Sequence, residues 1–70
     1  MKRTALTKKI SEAAKAAGVD WVLVRHGGQH DVYQCGTARV IIPRHNDINE
    51  ITALSILKHL SDILGEGWWK

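Results

Sequence analysis

The chain predicts an α+β fold in the order α-β-β-β-α, with two helices laid on one face of a three-stranded antiparallel sheet. Apolar residues recur at helical spacing towards both ends, three short runs rich in β-branched residues lie between them, and glycine or proline marks the junctions. Leu6, Ile10, Ala13, Ala14 and Ala17 form one stripe while Lys8, Lys9, Glu12 and Lys15 fall mostly opposite, which predicts an amphipathic helix over residues 4–17. Thr4 is its expected cap and Gly18 its left-handed stop.

Residues 21–24 are too few for a helix and start the first strand, which runs towards His26. Gly27 and Gly28 accept positive φ without steric cost, so a two-residue primed turn is expected to fold the chain back into residues 29–35. Gly36 and Thr37 repeat that chemistry before a third strand over residues 38–42, ended by Pro43, which has no N–H for a continuing ladder. Ile51, Leu54, Leu57, Leu60, Ile63 and Leu64 then mark a second helix. Its start is capped either by Asp47, which has capping-box spacing to Glu50, or by Thr52, and Gly65 and Gly67 end it. With both helices on one face, the other face of the sheet is free for a partner.

Seventy residues make a single domain over 1–70. A domain of this size buries only about 60% of its unfolded surface, so its stability is expected to be marginal and open to support from a partner protein. No apolar run approaches the roughly 20 residues of a membrane span, and Met1-Lys2-Arg3 is not followed by a signal-peptide core; the expectation is a cytoplasmic chain with no membrane partner. Cys35, the single cysteine, excludes an internal disulfide and reads as a small strand hydrophobe. Residues 1–35 hold Lys2, Arg3, Lys8, Lys9, Lys15 and Arg25 against Glu12, Asp20 and Asp31, and so carry the whole net charge of +3. Attraction to a polyanion is therefore expected on the first helix and strand, although a solvated helix face explains the same excess.

The spacing of His26, His30, His45 and His59 matches no zinc-site pattern, so neither metal nor cofactor is expected. His59 reads as a solvent-facing helical residue and His26 as an ordinary polar strand end. His30 and His45 lie just outside regular segments, where a rigid sheet commonly presents functional groups. Imidazole, with an unperturbed pKa of about 6.5, both takes and gives a proton near neutrality. Ser11, Ser55 and Ser61 lie in helices with no elbow motif, and the glycine pair lacks the flanking residues of a nucleotide-binding loop. Trp68 and Trp69 are assigned to packing rather than base stacking, since the chain has no phenylalanine to fill its core. His30 and Val32 project to the same side of their strand, and the sequence leaves open which side that is.

Three segments in order carry a family resemblance: Val24-Arg25 through Gly28-Gln29-His30-Asp31-Val32-Tyr33, then Val40-Ile41-Ile42-Pro43-Arg44-His45, then Thr52 to Leu57. Over about residues 4–60 the chain resembles the HicA toxins of bacterial toxin–antitoxin systems. The resemblance implies a double-stranded-RNA-binding-domain-like fold and an mRNA endoribonuclease of a type II system, neutralised by a HicB-type antitoxin, with His30 as the catalytic residue. Gln29 stands where that family has serine, and the Gly67-Trp68-Trp69-Lys70 tail has no counterpart in it.

RNA carries its own nucleophile in the 2′-hydroxyl, so such cleavage needs no metal. His30 is expected to act as general base or acid, with His45 the leading candidate for the opposite role and water the alternative. Backbone amides at Gly28 and Gln29, with Arg25 or Arg44, would hold the phosphate, and Lys8 and Lys9 would contact the RNA backbone farther out. The alternatives are a non-catalytic RNA-binding module of the same fold and a protein-binding adaptor.

Overall fold

The computed structural model describes all 70 residues. Their order is α1 (Arg3–Ala17), β1 (Trp21–His26), β2 (His30–Cys35), β3 (Ala38–Pro43), α2 (Glu50–His59) and α3 (Ser61–Leu64). The strands make one antiparallel sheet in the order β1-β2-β3, so the expected α+β meander is present. No helix is long and apolar enough to cross a membrane.

Leu6, Ile10 and Ala14 of α1, Ala53, Ile56 and Leu57 of α2, and Leu60 form one buried cluster with Cys35, Val40 and Ile42 of the sheet. The buried β3 residues alternate along the strand, so both helices cover the same face. Leu6, Ile10 and Ile42 have no exposed surface, and burial of such side chains contributes about 1.5–3 kcal/mol each.

Pairing of β2 with β3 runs from Cys35 opposite Ala38 to His30 opposite Pro43. This register places Asp31, Tyr33 and Cys35 on the helix-covered face, and His30, Val32 and Gln34 on the open one. His30-Asp31-Val32-Tyr33-Gln34-Cys35 divides into two alternating sets that each mix polar and apolar residues. Periodicity alone therefore had no means of choosing the face.

The two sheet connections differ from each other. Gly36 adopts φ 59 in the expected two-residue turn, and its N–H donates to the Asp20 carbonyl at 2.9 Å. Neither Gly27 nor Gly28 has positive φ, and β2 begins only at His30, so the expected primed turn is replaced by a three-residue loop. Glycine is needed at position 27 for space: a Cβ there would lie 2.5 Å from the His30 carbonyl oxygen, which accepts the Gly27 N–H at 3.0 Å.

Helix boundaries correct three further expectations. Thr4 lies within α1, whose first turn has no side-chain cap and is instead strapped to residues 46–48: the Arg3 N–H donates to Asn46 and the Ile48 N–H to Met1. The α2 cap is neither Asp47 nor Thr52 but Asn49, whose Oδ1 accepts the Ile51 N–H at 2.8 Å. The final helix breaks at Leu60 rather than running on to Gly65. The carbonyl of Leu57 accepts the Trp68 indole N–H at 2.9 Å and the Leu60 N–H at 3.2 Å, bonds that replace a regular α-helical continuation there. Gly18, at φ 70, stops α1 as expected.

Candidate active site

Two separate segments converge at one end of the sheet. The loop over residues 27–29 leads into His30, the first residue of β2, and Arg44 follows the last residue of β3. The Arg44 N–H donates to the Gln29 carbonyl at 3.0 Å, extending the β2–β3 ladder beyond Pro43 and drawing the two together. Gly28, Gln29, His30, Arg44 and His45 consequently line a single polar depression of about 390 Å³, with no carboxylate or apolar side chain in its wall. Both histidines are exposed.

The Arg44 side chain holds the loop from outside. Its Nη1 donates to the Gly27 carbonyl at 3.0 Å, and its Nε lies 3.7 Å from Asp31 Oδ1. Asp31 is the one buried charged residue, 7% exposed, and the same oxygen lies 3.0 Å from His26 Nδ1. That contact is close but not aligned as a hydrogen bond, and Asp31 Oδ1 has no hydrogen-bond partner. Charge attraction to Arg44, and to His26 when that ring is protonated, is what offsets its burial.

Asp31 and His26 were given no role by sequence reasoning. The available signal was an acid and a histidine flanking one glycine loop, which the strand pairing sets opposite each other. Of the expected site residues, the fold brings together His30, His45, Gly28, Gln29 and Arg44. Arg25 stands opposite Val32 in β1, and Lys8 and Lys9 lie on α1; none of the three lines the depression.

Other reactive groups are engaged elsewhere. Burial pushes the Cys35 thiol above its ordinary pKa, so it stays protonated near neutrality and packs as the expected hydrophobe. Trp21 stacks on Tyr33 with ring centroids 4.3 Å apart, and Trp68 meets Trp69 edge-on at 6.0 Å against the core, as their assignment to packing requires. No tryptophan or tyrosine lines the depression. No group of three or more His, Cys, Asp or Glu side chains is arranged to hold a metal ion.

No family model matches the chain, and neither a curated protein nor a solved structure matches it. The functional reading therefore rests on the site itself. Two imidazoles, a guanidinium, a side-chain amide and a glycine backbone suit an anion whose reaction needs proton transfer.

Proposed function

We propose that this chain is an endoribonuclease that cleaves mRNA by metal-independent histidine acid–base catalysis. In this reading it is the toxin of a type II toxin–antitoxin pair, HicA-like with a double-stranded-RNA-binding-domain-like architecture, and a HicB-type antitoxin neutralises it. The observation that carries the reading is the sharing of one exposed, carboxylate-free depression by His30, His45 and Arg44.

His30 accepts the proton of the 2′-hydroxyl, whose oxygen attacks the adjacent phosphorus. His45 donates a proton to the departing 5′-oxygen, leaving a 2′,3′-cyclic phosphate and a 5′-hydroxyl. Proton transfers of this kind contribute typically 10² to 10⁴ in rate. Negative charge on the phosphorane faces Arg44 and the Gly28–Gln29 segment. Arg44 suits this task because its fork is already held by Gly27 and Asp31, so little side-chain freedom is lost on binding. Gln29 supplies an amide where the resembled family has a hydroxyl. Lys8, Lys9 and Arg25 attract the RNA backbone from outside the depression.

The test compares cleavage of a defined mRNA by the wild type and by His30→Ala in excess EDTA. Cleavage by the wild type alone is expected. Intact RNA with both proteins, or equal cleavage by both, would sink the proposal.

A further inference from the structure

We infer that the groove between the outer edge of β3 and α2 is the path by which the RNA strand runs away from His30. This inference rests on the ribonuclease reading and adds to it a binding site for the flanking nucleotides. A groove of about 410 Å³ runs along β3, and His30 lies in its wall as well as in the wall of the depression. The two openings therefore meet at the side chain that would do the chemistry.

The walls of the groove suit a polynucleotide. Arg39, Thr52, Ser55 and His59 are exposed along it, three aliphatic side chains floor it, and no carboxylate lines it. A guanidinium binds phosphate, two hydroxyls match phosphate oxygens and 2′-hydroxyls, and His59, whose Nε2 is taken by the Arg39 carbonyl, has Nδ1 left to accept from a 2′-hydroxyl. From Pro43 to Arg39 the strand covers about 13 Å, several times the ~3.4 Å axial rise per nucleotide of one strand in a duplex. Arg39 therefore reaches phosphates beyond the scissile one.

An extended peptide is the natural competitor for a strand edge, and the edge is poorly suited to it. Cys35 and Ala38 close the hairpin, so alternation turns the backbone groups of Arg39, Ile41 and Pro43 outward. Pro43 has no N–H to give, and His59 Nε2 lies 3.2 Å from the Arg39 carbonyl oxygen, occupying it. Only Ile41 offers both of its groups, which is too little for strand addition.

The test measures binding of a short unstructured RNA oligonucleotide to the full chain carrying His30→Ala, so that no cleavage is needed. Arg39→Gln added to that chain is expected to weaken binding severalfold and to make the slope of log K against log salt shallower by about 0.7. Ser55→Glu, which puts a carboxylate in the groove, is expected to weaken binding as well. Lys58→Gln removes a charge next to His59 but outside the groove, and the salt slope is expected to stay with the parent. Circular dichroism verifies that each variant folds. Equal affinity and slope in the parent, Arg39→Gln and Ser55→Glu would overturn the groove, as would an absence of RNA binding in all of them. Groove-dependent binding by a chain whose wild type leaves RNA intact would remove the ribonuclease reading and keep the groove.

Discussion

Between β2 and β3 the chain reverses through Gly36 and Thr37, whereas between β1 and β2 it takes three residues, Gly27, Gly28 and Gln29, and uses no positive φ. The first turn takes its shape from its own residues, with Gly36 at φ 59 setting the bend and Cys35 opposite Ala38 closing it, and has one backbone bond from outside, the Gly36 N–H to the Asp20 carbonyl. The second is held from elsewhere. Arg44 grips the Gly27 carbonyl from beyond β3, and buried Asp31 sits beside both Arg44 and His26. A connection shaped by local turn chemistry is structural, while one shaped by distant residues presents side chains at a defined place, and it is the second that carries His30.

Substituting the two glycines separates these roles, and Gly27→Ala is expected to have the largest effect. Its Cβ would meet the His30 carbonyl at 2.5 Å, so the backbone of the candidate catalytic residue must move. A displacement near 1 Å lowers kcat/KM by about 100-fold, and overpacking costs about 1–3 kcal/mol of stability in urea unfolding. Arg44→Lys and Asp31→Asn come next. Each is expected to lower kcat/KM by about tenfold, because the lysine loses the fork and the asparagine loses the charge that steadies it. If either variant cleaved as well as the wild type, the β1–β2 loop would be as self-contained as the tight turn.

Gly36→Ala is expected to act on stability alone. A side chain at φ 59, 3.0 Å from Val19 Cγ1, costs about 1–2 kcal/mol, and the folded protein keeps its kcat/KM. Equal activity losses at positions 27 and 36 would break the comparison.

The smallest effect concerns Cys35, in the closing pair of the tight turn. Its thiol pKa is raised in the folded chain, so the neutral thiol favours folding. That contribution is complete below the unfolded value and falls as pH rises beyond about 9.0, where only the unfolded chain ionises. A denaturation series across this range should show stability declining in the wild type and a flatter course in Cys35→Ala.

Much of the fold was legible because its signals are local. The α1 stripe, the Gly18 stop and the Gly36 turn each need only their neighbours in sequence, whereas Pro43, expected to stop the ladder, turns its backbone outward and the ladder continues through Arg44. Features built from distant segments were not legible. The uncapped start of α1 depends on residues 46–48, and the break at Leu60 depends on the Trp68 indole. His30, His45, Gly28, Gln29 and Arg44 were found from sequence, whereas the Asp31–His26–Arg44 cluster beneath them needed the strand register. A polar residue in a strand is ordinarily assigned to solvent, and Asp31 is buried.

The central claim is that the loop at the end of the sheet presents His30 to the RNA backbone for cleavage by its own 2′-hydroxyl. End-group analysis of RNA cut by the wild-type protein in excess chelator tests it most directly. Fragments ending in 2′,3′-cyclic phosphate and beginning with 5′-hydroxyl are expected. Fragments with 3′-hydroxyl and 5′-phosphate ends, or RNA left whole, would contradict it.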